Sequence, residues 1–297
     1  MTRTWRIGDV TITKIVELED EVPPGRAGIA GIDPDELADL PWLVPDFLTP
    51  EGRMRMSIHS FLVETPRTRI VVDTGLGNDK PRAVPHWSGL RTGFLDEMRA
   101  TGWPPSSVQR VIHTHLHIDH VGWNTLLVDG AWAPTFPQAR HLMVRADFEH
   151  WQAEAARTDD DRPGWLRAMT DVAAVWADSI APVAEAGLVD LVEPDARVDP
   201  YVRLVPTPGH TPGHVSVLVE SRGESAVITG DLVHFPCQIA RPRWTSMLDC
   251  DHAAGTSARE EFLAKFADSG TLVLGTHFPD PTAGLVVRDG AGYRFES

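Results

Sequence analysis

The chain has little cysteine and no long apolar segment. Cys237 and Cys250 are its only cysteines among 297 residues, too few for a disulfide framework, so we expect two free thiols without a catalytic part. No stretch approaches the roughly 20 apolar residues that cross a bilayer, and residues 1–9 carry charges without an apolar run. These absences argue against a disulfide-rich scaffold and predict a soluble, cytoplasmic protein without a membrane partner.

Positive charge is also scarce. The 27 Lys and Arg residues are outnumbered by 42 Asp and Glu residues, for a formal net charge of −15. Proteins that bind nucleic acids usually carry a basic stripe, so we expect a small-molecule substrate and no nucleic-acid partner. With 42% hydrophobic residues and no repeat or low-complexity linker, residues 1–297 are predicted to form a single domain.

What the chain does have is a dense group of metal-binding side chains. Imidazoles and a carboxylate recur at short spacing in the segment His113-Thr-His-Leu-His-Ile-Asp-His120. The pattern H-x-H-x-(D/E)-H would arise by chance in roughly 0.003 of chains of this composition, so accident explains it poorly. The spacing is typical of a hydrolase with a two-metal site.

Three further donors each follow a short run of strand-forming residues. His210 follows the run 202–205, Asp231 follows 225–229 and His277 follows 271–274, just as the motif follows 108–112. Open α/β sheets present their ligands at the carboxyl ends of strands, where the turns aim side chains into a shared crevice. We therefore expect these four strand ends to converge on one site.

The donors divide into two ligand sets and one bridge. Residues two apart in an extended segment point to the same face, so one ion is assigned three imidazoles: His115, His117 and His210. The second ion is assigned Asp119, His120 and His277. The carboxylate of Asp231 can bridge the two ions. Nitrogen and carboxylate ligands without a thiolate favour Zn²⁺, although iron, manganese or cobalt would also fit.

On these residues the chain resembles the metallo-β-lactamase fold superfamily from about Ile7 to Phe295. The shared features are the H-x-H-x-D-H motif, the repeat Thr207-Pro-Gly-His-Thr-Pro-Gly-His, a later Gly-Asp and a final His. Four flanking segments resemble the branch of methyl-parathion-hydrolase-like and N-acyl-homoserine-lactonase-like enzymes: Ile58-His-Ser-Phe-Leu-Val, Val71-Val-Asp-Thr-Gly, Val121-Gly-Trp-Asn and Thr229-Gly-Asp-Leu.

The resemblance implies an α/β fold, a four-layer αββα sandwich of two β/α halves with a dinuclear site where the two sheets meet. It also implies supporting residues around the ligands. Asp73 would orient a ligating imidazole, as carboxylates behind metal sites do, and His59 would lie nearby. His214 is predicted to form structural hydrogen bonds, because His210 is the position that the family uses as a ligand. A homodimer is implied as well.

A coarse pattern of strands and helices surrounds these motifs. Short strands are expected at 5–18, 56–64, 70–73, 108–113 and 141–144, and helices at 94–100 and 258–267. A long helical region, 145–187, is expected to be interrupted at Arg162. Pro- and Gly-rich loops at 22–50 and 81–93 would cover the site as lids.

A substrate pocket rich in aromatic residues is predicted around the metals. Its candidate members are Trp42, Phe47, Trp87, Trp123, His234, Phe235 and Trp244. For each aromatic residue taken alone, packing in the core is the alternative. Trp123 and Phe235 flank metal motifs and are therefore the first candidates for contact with substrate.

The ligand set predicts hydrolysis by a hydroxide held between two metal ions, with Asp119 and Asp231 as catalytic residues that steer it and move its proton. The resemblance makes a lactone or carboxylic ester the first substrate class. Homoserine lactonases place a Tyr shortly after the bridging Asp, whereas Asp231 is followed by Leu-Val-His234-Phe, so His234 or the metals would contact the carbonyl oxygen. A phosphotriester is the main alternative, followed by a β-lactam or a thioester.

Overall fold

The computed structural model describes residues 2–157 and 162–297. The chain divides into two compact units. Unit 1 consists of Met1–Arg6, Val10–Glu17 and Ile58–Glu193, and unit 2 of Ile7–Asp9, Leu18–Ser57 and Pro194–Ser297. The single domain that the sequence predicts stays a prediction. Among the described residues, no helix combines the length and the apolar character needed to span a bilayer.

The described residues form strands and helices in a mixed order. The strands are β1 Arg3–Ile7, β2 Val10–Val22, β3 Ile29–Ala30, β4 Met54–Glu64, β5 Arg69–Val72, β6 Arg110–Ile112, β7 Thr125–Val128, β8 Ala131–Pro134, β9 Arg140–Val144, β10 Val189–Val192, β11 Val202–Pro206, β12 Val215–Ser221, β13 Glu224–Ile228, β14 Thr245–Ser246, β15 Leu272–Leu274, β16 Ala283–Asp289 and β17 Gly292–Glu296. The α-helices are α1 Pro34–Ala38, α2 Phe94–Ala100, α3 Arg145–Ala155, α4 Gly164–Thr170, α5 Val172–Val175, α6 Ala181–Glu185, α7 Cys237–Ala240 and α8 His252–Phe266. A π-helical turn, Trp176–Ile180, joins α5 to α6. Short 3₁₀ turns cover Pro24–Arg26, Pro41–Leu43, Pro85–Trp87, Pro105–Ser107, Gly122–Asn124 and Gly230–Leu232.

Unit 1 is built on a seven-stranded sheet of order β1-β2-β4-β5-β6-β9-β10. The pairs β5–β6, β6–β9 and β9–β10 are parallel, so the carboxyl ends of these strands lie along one edge. The segment Ile70-Val-Val of β5 is almost fully buried, as expected for strands covered on both faces. β6 is shorter than predicted, because the chain leaves the sheet after Ile112 and enters the histidine motif.

The helical region predicted at 145–187 contains α3, α4, α5, the π-helical turn and α6. Its residues 158–161 lie outside the described part of the chain. The break between α4 and α5 falls at Asp171, which adopts a left-handed conformation with φ 42°. The hydrophobic periodicity therefore indicates the helical character correctly but not this second break.

Unit 2 is built on a six-stranded sheet of order β11-β12-β13-β15-β16-β17. Within it β13 and β15 are parallel and their neighbours are antiparallel. Helix α8 packs Phe262, Leu263 and Phe266 into the core of this unit. It begins at His252, earlier than predicted, because the side chain of Asp251 accepts hydrogen bonds from the backbone N–H groups of Ala253 and Ala254 and so caps the helix.

Candidate metal centre

The motif residues of unit 1 lie directly after β6 and are buried close together. The Nε2 atom of His115 lies 3.0 Å from Nδ1 of His117. The ring centroids of His115 and His120 are 4.1 Å apart. Asp119 is only partly buried, and one of its oxygens lies 3.5 Å from Nε2 of His120. Buried imidazoles that face one another at such distances form a donor set suited to a divalent ion.

Asp73 supports this segment from the end of the parallel strand β5. Its Oδ2 atom lies 3.0 Å from Nδ1 of His120 and accepts a hydrogen bond of 2.8 Å from the Thr114 hydroxyl. Its Oδ1 atom accepts a hydrogen bond of 2.8 Å from the backbone N–H of Thr114. Asp73 adopts a left-handed φ of 56°, which few residues other than glycine tolerate. The carboxylate therefore fixes both the backbone of the motif and one ring.

Two other histidines lie behind the motif. His113 stacks on His141 with ring centroids 5.6 Å apart, and burial lowers the pKa of His113 to about 4, so its ring is neutral near pH 7. His59 is buried and packs edge-on against Phe61 at 4.8 Å. His59 therefore lies on β4, and its predicted supporting role stays a prediction.

In unit 2 the carboxylate of Asp231 faces several imidazoles. Its Oδ2 atom lies 3.3 Å from Nε2 of His210 and 3.0 Å from Nε2 of His234. Its Oδ1 atom lies 3.1 Å from Nε2 of His277. The turn that carries Asp231 follows β13 through Gly230, whose φ is 57°. Each oxygen of Asp231 thus faces a different candidate ligand, as a bridging carboxylate requires.

The rings of the unit 2 donors are held from behind. Oδ1 of Asp249 lies 2.8 Å from Nδ1 of His210. The backbone carbonyl of Ser57 lies 3.1 Å from Nδ1 of His277. Partners of this kind set the tautomer and orientation of a ligating imidazole. In both rings they leave Nε2 as the atom that faces Asp231.

Helix α8 begins against the loop that carries His210. The backbone carbonyls of Gly209 and His210 accept hydrogen bonds from the N–H groups of Asp251 and Cys250, at 2.9 and 3.0 Å. Gly209 has φ 132°, and a Cβ atom there would lie 2.1 Å from the backbone nitrogen of Gly255. The close approach explains why glycine precedes His210.

The electrostatics of unit 2 favour a cation at Nε2 of His210. Burial would lower the pKa of His210, but hydrogen bonds and charge interactions with Asp231 and Asp249 raise it to about 9. The carboxylates therefore attract positive charge to this point more strongly than burial repels it. Because a metal ion competes with protons for the same nitrogen, such a position also suits a divalent ion.

Each unit contributes its own candidate ligands, and their sharing of an ion stays a prediction. In unit 1 they are His115, His117, Asp119 and His120, and in unit 2 they are His210, Asp231 and His277. Their nitrogen and carboxylate donors support two divalent metal ions.

The predicted pocket aromatics occupy packed positions. Phe47 contacts Phe278 and Phe295 edge-on, at 6.0 and 5.8 Å between ring centroids. Trp123 stacks on Phe94 at 5.6 Å within the core of unit 1. Phe235 and Trp244 belong to the core of unit 2, Trp42 packs against that core, and Trp87 is buried beside His86. These contacts are the ones expected if the aromatic residues pack in the core, which is the alternative to a role in the substrate pocket. Contact with substrate stays a prediction for each of these residues.

Sequence reasoning missed two carboxylates near the site, Asp249 and Glu17. Asp249 lies in a segment without a recognisable motif, so no local signal marks it. Glu17 lies among the buried residues of β2 and binds the loop after Asp73 through the backbone N–H groups of Leu76 and Gly77. A charged residue at an inward position of a strand is the one signal that could have identified it.

Replacing Asp249 by asparagine should weaken metal binding about 10- to 100-fold, the usual cost of removing a partner of a ligating imidazole. The amide still fits but no longer supplies the charge opposite Nδ1 of His210. A competition titration with a metal-binding dye would measure the affinity. The control is Asp251→Asn, because asparagine caps α8 as well as aspartate does. Equal affinities in native protein and Asp249→Asn would contradict the supporting role.

Replacing His214 by glutamine should leave both metal ions bound. His214 accepts a hydrogen bond of 2.8 Å from the backbone N–H of Asp231, while its Nδ1 atom lies 2.9 Å from both the hydroxyl and the carbonyl of Thr207. The glutamine oxygen can accept the same hydrogen bond. Metal analysis of purified protein checks the result, with His210→Gln as the variant expected to lose metal. Loss of an ion from His214→Gln would identify His214 as a ligand.

A family model described as the metallo-beta-lactamase superfamily matches residues 53–277, more than half of the chain. The protein therefore belongs to the metallo-beta-lactamase superfamily, and the α/β fold class predicted from sequence is confirmed.

The curated relatives are more specific. An N-acyl homoserine lactonase of Bacillus cereus is 27% identical over 197 residues, which are 61% of this chain and 65% of that protein. The N-acyl homoserine lactonase AttM of Agrobacterium fabrum is 28% identical over 184 residues, 54% of this chain and 58% of that protein. The chain thus spans less than two thirds of the length of these relatives.

Solved structures match nearly the whole chain. The hydrolase AbOPH of the beta lactamase superfamily has a TM-score of 0.81 at 26% identity, covering 99% of this chain and 96% of AbOPH. AidC, a dizinc quorum-quenching lactonase in complex with a product, has a TM-score of 0.80 at 19% identity, covering 100% and 97% of the two chains. The AidC match shows the shared fold.

Proposed function

We propose that the protein is a metal-dependent hydrolase that opens lactones, with carboxylic esters as related substrates. The observation that carries the proposal is the carboxylate of Asp231, whose two oxygens face two buried imidazoles, those of His210 and His277. The relatives named N-acyl homoserine lactonases support a lactone as the substrate class.

Two divalent ions, proposed to be Zn²⁺, would be held by seven side chains: His115, His117, Asp119, His120, His210, Asp231 and His277. When bound, two such ions supply a water of near-neutral pKa and polarise the substrate carbonyl. The donor set fits them because it holds five buried imidazoles, two carboxylates and no thiolate.

Asp231 and Asp119 are proposed to carry the proton of the reaction. Opening a lactone consumes one water, adds its oxygen to the carbonyl carbon and delivers one proton to the ring oxygen that leaves. A carboxylate beside the reacting atoms accepts the proton from the water and passes it to that oxygen. Asp231 is almost fully buried and Asp119 is more exposed, so Asp119 is the one placed to exchange protons with solvent.

His234 is proposed to bind the substrate carbonyl in place of the missing tyrosine. Its Nε2 atom lies 3.0 Å from Asp231, and its ring centroid lies 4.9 Å from that of His210. Burial lowers the pKa of His234, so the ring is neutral near pH 7 and one nitrogen keeps a hydrogen to donate. A neutral donor suits an oxygen that gains negative charge during the reaction.

Cleavage of aryl phosphotriesters is the second candidate. The absence of a tyrosine directly after Asp231, which is followed by Leu-Val-His-Phe, favours it. Hydrolysis of β-lactams and thioesters would depend on the same metal ions, so both are tested together with the phosphotriester.

A proton-release assay on the zinc-loaded protein distinguishes these substrates. Acyl-homoserine lactones, simple lactones, aryl esters and aryl phosphotriesters are compared in parallel, followed by a β-lactam and a thioester. We expect the acyl-homoserine lactone to react fastest. Faster cleavage of the phosphotriester would replace the proposal by the second candidate.

We also propose that the protein acts in the cytoplasm as a homodimer on a small molecule, without a nucleic-acid or membrane partner. The net charge of −15 supports the absence of a nucleic-acid partner. Light scattering on the native protein should give twice the chain mass of 32.7 kDa. The chain mass alone would contradict the dimer.

A further inference from the structure

A charged side chain lies in the interior of unit 2. It belongs to Arg259 of α8, which is only 1% exposed and is the largest of the fully buried side chains among the described residues. Arginine is almost never fully buried unless its guanidinium has partners. The contacts of Arg259 therefore indicate why α8 places a positive charge there.

The guanidinium contacts three separate segments of unit 2. Its Nε atom donates a hydrogen bond of 2.8 Å to the carbonyl of Pro242, and its Nη1 atom donates one of 2.5 Å to the carbonyl of Leu232. Its Nη2 atom lies 3.9 Å from Oδ2 of Asp249. The planar guanidinium holds its nitrogens in a fixed arrangement, so these contacts tie the three segments to one another.

Two of the three segments support candidate ligands. Leu232 directly follows Asp231, so its carbonyl belongs to the turn that carries the proposed bridging carboxylate. Oδ1 of Asp249 lies 2.8 Å from Nδ1 of His210. Arg259 thus reaches Asp231 through the backbone and His210 through Asp249. On the other side, Nε2 of His210 lies 3.3 Å from Oδ2 of Asp231, so both ligands of this pair are held through one guanidinium.

Arg259 continues a row of α8 residues that face the supports of His210. Asp251, Gly255 and Arg259 are four residues apart and therefore lie on one face of the helix. A Cβ atom on Gly255 would lie 3.0 Å from Oδ2 of Asp249, so glycine leaves room for that carboxylate. The same face continues into the apolar core with Phe262, Leu263 and Phe266. The buried face of α8 is thus polar only where it meets the site.

A contribution to stability does not explain this buried charge. The Nη2 atom of Arg259 makes no hydrogen bond among the described residues. A buried donor of a charged group that lacks an acceptor costs stability. Buried ion pairs can often be replaced by apolar side chains of similar volume without loss of stability. The value of the guanidinium therefore lies in the groups that it positions.

We propose that Arg259 is a positioning residue of the metal centre, whose three contacts fix the carboxylate of Asp231 relative to the imidazole of His210. The proposal rests on the proposed metal-dependent hydrolysis for the roles of these two ligands. A change in their separation weakens the binding of an ion that both contact. Because coupling between two sites is reciprocal, an ion bound there also holds Arg259 in place.

Two variants of Arg259 and a matched control test the proposal. Arg259→Met keeps an unbranched, flexible side chain but removes the charge and all hydrogen-bond donors. Arg259→Lys keeps the charge but replaces the planar fork by a single nitrogen, which cannot reach three segments at once. The control is Leu263→Ala, which removes a buried core side chain from the same helix and so destabilises α8 without removing a polar contact.

Zinc affinity is measured by competition with a metal-binding dye, without substrate, at a temperature at which urea unfolding shows each variant to be folded. We expect both Arg259 variants to bind zinc about tenfold more weakly than the native protein, and Leu263→Ala to bind it as the native protein does. Native affinity in either Arg259 variant would overturn the proposal, because the three contacts would then be dispensable. An equal loss in Leu263→Ala would also overturn it, since any destabilisation of α8 would have the same effect.

Hydrogen exchange in the metal-free proteins provides a readout that needs neither zinc nor a lactone. The backbone N–H of Asp231 donates to Nε2 of His214, and Val227 lies within β13. In Arg259→Met the amide of Asp231 should exchange at least about tenfold faster, relative to that of Val227, than in the native protein. Leu263→Ala should accelerate both amides alike. Equal acceleration of the two amides in Arg259→Met would contradict the positioning role.

A measurement on the native protein decides the question if neither Arg259 variant folds. The Nε–H group of Arg259 gives a nitrogen–proton signal in nuclear magnetic resonance spectra, and its exchange with solvent should slow severalfold when zinc is added. An unchanged exchange rate in the presence of bound zinc would overturn the proposal. A native protein that binds no zinc would contradict the metal centre and this proposal with it, whereas failure to hydrolyse any lactone would contradict the proposed reaction alone.

Discussion

Asp231→Asn should lower kcat/KM for a lactone more than about 100-fold, because losing even a partner of a ligating residue costs 10- to 100-fold. The carboxylate of Asp231 faces His210 with one oxygen and His277 with the other. Asparagine replaces one charged oxygen by an NH₂ group, which cannot bind a cation or accept a proton. The variant should therefore lose both a shared ligand and a proton carrier.

Steady-state kinetics and metal analysis on the same preparation check this result. Circular dichroism should show little change, since Asp231 contacts the site and not the hydrophobic core of unit 2. The matched control is Asp195→Asn, an exposed aspartate of the same unit. Full activity with two bound ions in Asp231→Asn would remove the bridging role.

The free energy of unfolding of the native protein should fall relative to that of Glu17→Gln as the pH rises from about 5 to about 8. Burial raises the pKa of Glu17 to about 7, although hydrogen bonds from Leu76, Trp123 and Gly77 lower it. A raised pKa means that the folded state holds the proton more tightly than the unfolded chain does. The stability that this bound proton contributes is fully present below pH 4.5 and is lost as the pH rises through about 7. The difference between the pKa of Glu17 in the folded protein and in the unfolded chain corresponds to about 3 kcal/mol of unfolding free energy.

Urea unfolding of both proteins at the two pH values measures the effect. The quantity of interest is the change with pH of the difference in unfolding free energy, because other titrating groups contribute equally to both proteins. Glu19→Gln is the control, an exposed glutamate on the same strand. A pH-independent difference would mean that Glu17 stays ionised and that its hydrogen-bond donors outweigh burial.

The candidate ligands could be predicted from the sequence because each lies directly after a strand, in a pattern too dense to be accidental. Strand ends determine which side chains lie along one edge of a sheet, so periodicity and short motifs suffice to propose these ligands. Asp249 and Glu17 escape such reasoning because their partners are distant in sequence. Asp249 contacts His210, 39 residues away, and Glu17 contacts Leu76, 59 residues away. Only the three-dimensional structure brings such pairs together.

The sequence does not show which neighbours a side chain such as that of Trp123 contacts, for the same reason. Trp123 lies three residues after the histidine motif, and that position indicates contact with substrate. Its indole N–H donates a hydrogen bond of 2.7 Å to Glu17 and its ring packs on Phe94, contacts that the sequence does not indicate. Contact of Trp123 with substrate stays a prediction. The π-helical turn is a similar case, because Asp178 within it contacts residues 80 and 82, far away in sequence.

The attachment of α8 to the loop of His210 has a consequence for local opening of the protein. The N–H groups of Cys250 and Asp251 can exchange with solvent deuterium only when their hydrogen bonds to His210 and Gly209 break. Such an opening would also displace His210 from Asp249, its partner at Nδ1. A ligand that holds His210 in place should therefore slow deuterium uptake at the start of α8, and exchange rates at those two amides would report occupancy of the site without any substrate.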